Sequence, residues 1–289
     1  MSSASDVSTT PRLARIQLHP IKSLDPIEIP EAHIGPGGGL ENDRAWALYS
    51  VDGRWVNGKR TAAIHLIRAA YAPDLSAVTL SVPGDRRNIP TQTFAFPADT
   101  EAAAEWFSGY FEQPITVRYS AEGFPDDTLA NGPTIVSTAS LQCVAEWFPG
   151  MTVEEARRRF RSTLELDGLP AFWEDRLFAG DERGVDRSAV TKNIDCSAVT
   201  RNVVRFRIGD VNFEGSNPCA RCPVPPRDPQ TGADLPGFQK RFTELRRAQL
   251  PEWSPVERFD HFYRFSTNTR IASTESGKIL RVGNALRFV

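Results

Sequence analysis

Strand-like runs of only a few residues, each stopped by proline or glycine, constrain this chain more than any other feature. From Arg12 onward Arg15, Gln17 and His19 alternate with Ala14, Ile16 and Leu18, the period of a half-buried strand, until Pro20 breaks it. Ile21-Lys22-Ser23 follows as a short exposed connection, 35–39 is a glycine-rich loop, and 43–49 (DRAWALY) reads as a second strand. Val51-Asp52-Gly53-Arg54 carries the Asp-Gly hairpin signal, with Trp55-Val56 beginning the return strand. Further strands are expected at 78–82, 92–95 and 203–213, where Arg205 and Arg207 alternate with Val204, Phe206 and Ile208, and a closing one at 279–288. With 22 prolines and 20 glycines the chain favours a loop-rich, mainly β (α+β) fold over a helical bundle. Strands this short and this frequent point to small barrels or sandwiches.

Helices are few. Segment 99–111 has an apolar face at Ala102, Trp106, Phe107 and Tyr110 behind Thr100, which is placed to cap it. Segment 137–148 carries Leu141, Val144, Ala145 and Phe148 at helical spacing, 152–160 opens with Thr152 and Glu155 as a capping box, and 242–250 is a further candidate. The proline-rich stretch 217–237 is expected to be irregular. Residues 1–10 read as a disordered tail, and a boundary at 120–130 would divide the rest into 11–125 and 126–289.

A net charge of −2 over 289 residues gives no reason to expect a nucleic-acid surface, while leaving room for a local basic pocket. Cys143, Cys196, Cys219 and Cys222 are too few and too irregularly spaced for a secreted disulfide framework. No run approaches the roughly 20 apolar residues of a membrane helix, and the Ser/Thr-rich N-terminus has no signal-peptide core. These features predict a reducing compartment, the cytoplasm, and no membrane partner.

Chemistry concentrates in 217–232, N-P-C-A-R-C-P-V-P-P-R-D-P-Q-T-G. It offers two thiols three residues apart with Arg221 between them. A cation beside Cys222 favours thiolate, and thiolate is a soft ligand for transition metals. A closed zinc site needs four ligands. There is no second C-x-x-C, and the histidines at 19, 33, 65 and 261 are scattered. A thioredoxin-type pair would open a helix, which the prolines after Cys222 oppose.

This run resembles the C-x-R-C…D-P-x-T-G segment of MOSC proteins, among them the mitochondrial amidoxime-reducing component and its bacterial relatives. Other segments resemble the family in the same order: His19-Pro20-Ile21-Lys22-Ser23 its Y/H-P-V/I-K-S opening, Asp43-Arg44-Ala45-Trp46 its D-R-x-W, Ser137-Thr138-Ala139-Ser140 its E-A-S-type segment, Phe160-Arg161 its F-R-P-N, and Ile279-Leu280-Arg281-Val282-Gly283 its closing I-R-V-G-D. The resemblance implies a MOSC N-terminal β-barrel domain followed by a MOSC β-barrel domain, and a molybdenum cofactor whose metal is bound by Cys222, not Cys219. It implies cofactor contacts from Lys22, Ser23, Arg44, Thr138, Ser140, Arg161, Thr163, Arg221 and Asn268. Arginine suits the cofactor's phosphate because its planar fork makes two parallel hydrogen bonds. The helix starting near Ser140 would turn its positive end toward the same anion. Thr163 stands where the family has an amide, and Asn284 where it has an acid.

The implied activity is reduction of a small N-hydroxylated substrate by oxygen-atom transfer. The sequence has neither a Rossmann glycine fingerprint nor a four-cysteine ferredoxin set, so the electrons are expected from an external partner: a reductase, ferredoxin or heme protein. The alternative is a cofactor carrier or sulfur-handling module with Cys222 as persulfide acceptor. MOSC domains also occur in cofactor sulfurases, and any link to pyridoxal phosphate follows from that association alone.

Overall fold

The computed structural model describes residues 10–127, 130–178 and 203–289. The expected tail lies outside them except for Thr10, as does Cys196. Strands β1 (Arg12–Leu18), β2 (Ile27–Ile29), β3 (Glu31–His33), β4 (Trp46–Ser50), β5 (Trp55–Val56), β6 (Arg68–Tyr71), β7 (Ala77–Ser81) and β8 (Gln92–Ala95) precede helix α1 (Thr100–Phe111). Strands β9 (Ile115–Tyr119) and β10 (Ile135–Ser137) lead into α2 (Thr138–Glu146), α3 (Val153–Phe160) and β11 (Leu164–Asp167). Then come β12 (Arg205–Ile208), β13 (Val211–Ala220), α4 (Phe238–Ala248), β14 (Arg264–Arg270), β15 (Ile279–Arg281) and β16 (Leu286–Phe288).

The largest sheet runs in the order β16-β12-β13-β14-β10-β11-β1-β2. Its two sides meet. Arg12 bridges Ala285, Leu13 N–H donates to the Asn284 carbonyl at 2.8 Å, and Gly283 N–H donates to the Leu13 carbonyl at 2.7 Å. These bonds join the β16 end to the start of β1 and close the sheet there as a barrel does, with β2 beyond the closure. Inward-facing Leu13, Ile16, Ile135, Leu164, Phe206, Ile208 and Phe213 fill the interior. The sheet thus draws β1 and β2 from one side of the expected 120–130 boundary and the other strands from the other side.

A second layer combines the sheets β5-β4-β9 and β6-β7-β8 with α1. Helix α1 forms because Ala103, Trp106, Phe107 and Tyr110 repeat at helical spacing and are buried together with Phe94, Leu80 and Val78. A third, aromatic cluster of Phe148, Phe160, Phe238, Phe242 and Phe265 holds α2, α3 and α4 against the barrel. Among the described residues no helix is long and apolar enough to cross a membrane.

Several expectations change. In β1 a register shift between Leu13 and Arg15 puts Leu13 inside in place of Ala14, and Gln17 and His19 are buried, so both faces of the strand are covered. The strand expected at 43–49 starts only at Trp46, because Arg44 takes a left-handed conformation (φ 54°). Thr100 is not the cap of α1; its hydroxyl donates to the Pro97 carbonyl, and Asp99 precedes the helix. Thr152 caps α3 by accepting from Glu155 N–H at 3.0 Å, but Glu155 turns its carboxylate to Arg159 instead of closing the capping box. Segment 217–220 is not irregular. Strand β13 continues through Pro218, tolerated because register shifts at Gly215/Asn217 and Pro218/Ala220 release the ladder there. The closing strand at 279–288 is two strands, β15 on β3 and β16 on β12, separated by a turn at Gly283 (φ 90°).

Candidate functional site

Four structural features converge on one cavity of about 390 Å³. The connection after β1 brings Lys22 and Ser23, the turn before β4 brings Asp43 and Arg44, the end of α3 brings Phe160, Arg161 and Thr163, and the β13–β14 pair brings Asn217, Cys219, Arg221, Cys222 and Asn268. The backbone fixes these arrivals. Lys22 N–H donates to the Trp46 carbonyl at 2.8 Å, Arg44 N–H to the His19 carbonyl at 2.9 Å, and Arg161 N–H to the Arg157 carbonyl at 2.9 Å as the C-cap of α3. Ser23, Arg44 and Arg161 all have positive φ (76°, 54° and 53°). Such conformations cost energy for residues with a Cβ and gather at functional sites.

Arg44 donates to the Asp43 carboxylate, to the Arg161 carbonyl at 3.4 Å and to Thr163 Oγ1 at 3.5 Å. Arg161 donates to the Leu24 carbonyl at 2.7 Å. Burial, and then the neighbouring Arg44 charge, pull the Arg161 guanidinium down to about 10. His19 lies buried beside this pair. Its backbone N–H donates to Asp43 Oδ1 at 2.9 Å, neither ring nitrogen has a hydrogen-bond partner although Nδ1 lies 3.9 Å from the same oxygen, and burial followed by Arg161 and Arg44 lowers its pKa, keeping the ring neutral. Ser23 Oγ accepts from Gly58 N–H at 3.0 Å, closing the loop that carries Lys59 and facing it toward His65.

Lys22 is 9% exposed, and its ammonium donates to the Phe124 carbonyl at 2.6 Å and to Asp126 Oδ1 at 2.7 Å. Lys59 reaches the same carboxylate oxygen at 3.1 Å. Burial raises the Asp126 carboxyl, but the two ammonium groups outweigh it and hold it at about 2. Burial lowers the Lys22 ammonium, and Asp126 offsets part of that.

Arg221 departs from expectation. Its guanidinium donates to Cys219 Sγ, the first thiol of the pair, at 3.3 Å. The same side chain donates to the Phe160 carbonyl and lies over the Phe160 ring, while its buried Nε has no protein partner. Asn268 sits opposite Asn217 in the β13–β14 register and donates to Asp127 Oδ2 at 3.3 Å.

Of the ten residues singled out in the sequence, the cavity gathers Lys22, Ser23, Arg44, Arg161, Thr163, Arg221, Cys222 and Asn268. Thr138 and Ser140 are placed elsewhere. Thr138 Oγ1 donates to Glu165 Oε1 at 2.9 Å, and Ser140 Oγ donates to Glu174 Oε2 at 2.9 Å. The α2 N-terminus, capped by Ser137 Oγ, therefore meets the chain's own acids and not a ligand in the cavity. Sequence reading missed Asn57, Gly58, Lys59, His65, Asp126 and Arg159, which also line the cavity. The Asn57-Gly58-Lys59 turn signal and the arginine run before Phe160 were the available hints. The D-P-x-T-G run has a local explanation: Asp228 Oδ1 accepts from Gln230 N–H at 2.9 Å, Thr231 N–H at 2.7 Å and Thr231 Oγ1 at 3.0 Å. This pins the loop, and Asp228 then lies 3.7 Å from Arg159.

With this geometry in place, residues 10–114 match the family model of the MOSC N-terminal beta barrel domain. The N-terminal region is a MOSC N-terminal beta barrel domain. The whole chain is consistent with a MOSC domain protein, and that family is generally linked to molybdenum cofactor binding. No curated protein matches the chain. The matched MOSC region supplies Lys22, Ser23 and Arg44, one wall of the cavity, while Cys222 and Arg221 come from beyond it.

Proposed function

We propose that the chain binds a molybdenum cofactor in this cavity, with Cys222 as the protein's thiolate ligand to the metal, and reduces small N-hydroxylated compounds with electrons from a separate donor. The observation that carries the reading is the meeting, in one cavity, of a thiol with cations from three distant segments, Lys22, Arg44 and Arg161. The donor set fits a pterin bearing a phosphate. Cations and the Ser23 hydroxyl suit the phosphate, and the unpartnered Arg221 Nε and the Asn268 amide suit a ring edge that both donates and accepts. Among the described residues no group of three or more His, Cys, Asp or Glu is placed to hold a metal ion, so a metal at Cys222 would take further ligands from a cofactor. That is what a dithiolene provides, and a closed zinc site does not fit these residues.

When bound, the cofactor supplies two-electron oxygen-atom chemistry, and the protein supplies position and charge. Arg44 and Arg161 bring two positive charges to one wall, and an anionic group there relieves their mutual repulsion. Arg221 is held over Phe160, with its guanidinium on Cys219 Sγ. Leu40, Phe160 and Val224 are among the apolar residues of the lining. Cys143, Cys219 and Cys222 are free thiols, in keeping with a reducing compartment such as the cytoplasm. Benzamidoxime reduction with an artificial electron donor tests the proposal. Turnover that Cys222→Ala abolishes, with pterin still bound, supports a reductase. Tight pterin binding without turnover by the native chain makes it a carrier instead.

A further inference from the structure

We propose that Asp126 makes the cavity selective for a phosphate monoester, because an incoming anion must take Lys22 and Lys59 from a carboxylate already bound to both. The inference rests on the reading above only in assuming that the ligand carries a phosphate.

One carboxylate oxygen, Asp126 Oδ1, serves two ammonium groups, Lys22 at 2.7 Å and Lys59 at 3.1 Å. Lys22 is nearly buried, and a buried ammonium without a counter-charge is unfavourable. Binding at Lys22 is therefore an exchange of one anion for another, not an addition. A monoanion such as a phosphate diester brings no more charge than the carboxylate it displaces, and lacks that carboxylate's covalent tether. A phosphate monoester carries about −1.5 to −2 charges at neutral pH and three strong acceptor oxygens, enough to win both lysines.

The segment bearing Asp126 is anchored through Phe124. The Phe124 ring meets Trp55 edge-on at 5.5 Å and Tyr49 at 6.1 Å, and Phe124 N–H donates to the Arg44 carbonyl at 2.9 Å. Lys22 lies over the same Trp55 ring, 5.0 Å from its centre. Gly123 turns the chain into this position at φ 73°, where a Cβ would stand 2.7 Å from the Asp43 carbonyl oxygen. Beyond that anchor the Asp126 side chain is 54% exposed, so it swings away from the lysines without unpacking the aromatic contacts.

Titration calorimetry on the full chain, produced without the pterin, tests the exchange with methyl phosphate and dimethyl phosphate at about pH 7.5, above the second phosphate pKa of about 6. The native chain should favour methyl phosphate by about tenfold or more, a difference of roughly 1.4 kcal/mol. Asp126→Asn keeps the side-chain shape and one acceptor, and should bind dimethyl phosphate more tightly and lose most of the preference. The proposal is overturned by an unchanged preference, by weaker binding of both probes in Asp126→Asn, which would make Asp126 an orienting group for the lysines, or by a native chain that binds neither. Metal content is read separately on protein from a cofactor-producing host. Molybdenum present with the preference unchanged sinks the exchange alone. Loss of preference in Asp126→Asn with no molybdenum in the native chain sinks the cofactor reading alone.

Discussion

Asp175 and Arg246 bury opposite charges against each other behind α2, whereas Arg44 and Arg161 bring like charges together at the cavity wall. In the first region the two groups are 4% and 1% exposed and 2.5 Å apart, Ser254 adds a hydroxyl to Asp175, and the rings of Phe172 and Phe259 cover the guanidinium at 4.1 and 5.2 Å. Glu174 beside them takes the Ser140 hydroxyl, and its carbonyl takes Thr267 Oγ1 at 2.6 Å. Here the Arg246 charge meets the Asp175 carboxylate and lies against aromatic rings, although its Nε and Nη1, and Glu174 Oε1, have no hydrogen-bond partner. In the cavity, Lys22 relies on a half-exposed carboxylate, Arg161 relies on a carbonyl, and about 390 Å³ stays open in front of them. Buried charge closed on itself serves the scaffold. Cations paired at the rim of a void, Arg44 with Asp43 and Lys22 and Lys59 with Asp126, are left for a ligand to take over.

The largest effect that can break this contrast is on stability. Asp175→Asn strands the Arg246 guanidinium in the core, and urea unfolding should show a loss of about 3–5 kcal/mol, while whatever protein remains folded retains its cofactor. A loss below about 1 kcal/mol would mean that the scaffold pair is not one. Arg161→Ala should behave oppositely. It gives up one hydrogen bond worth about 1 kcal/mol and relieves the repulsion with Arg44, so stability should move by less than about 1 kcal/mol while pterin and molybdenum content fall severalfold. If it unfolds the protein as Asp175→Asn does, the cavity arginines are structural.

The smallest effect sharpens the contrast through pH. Burial first, and then the Asp175 charge, push the Glu174 carboxyl up to about 7. An acid whose pKa is higher folded than unfolded favours the fold fully at low pH, and that contribution is lost as pH rises from about 4.3, the unfolded value, through the folded one. Thermal unfolding of Glu174→Gln should therefore depend less on pH across that window, with a midpoint a few degrees above the native one at its upper end. An identical slope in the two proteins would show that Glu174 does not titrate as the fold requires.

Much of the fold was readable because alternation and capping act locally. Strand β8 falls at the expected 92–95, and Thr152 caps α3 as its hydroxyl and position suggest. Segment 217–220 was misread as irregular because proline normally ends a strand, and nothing local announces the register shifts that let β13 pass Pro218. The cavity residues carried by motifs were legible. Their conformations were not, since neither serine nor arginine signals the positive φ of Ser23, Arg44 and Arg161. The family resemblance puts Thr138 and Ser140 on the ligand, but their hydroxyls are taken by Glu165 and Glu174, which long-range packing brings to that helix end. Lys59 and Asp126 were missed because their meeting with Lys22 is purely tertiary.

Elemental and pterin analysis of the native chain, purified from a host that makes the cofactor, asks most directly whether this cavity is a molybdenum site. Stoichiometric molybdenum, a fluorescent pterin after oxidation, and loss of the metal in Cys222→Ala are the results expected of a site closed by that sulfur. Protein that carries neither the element nor the pterin, despite an intact fold, would contradict it.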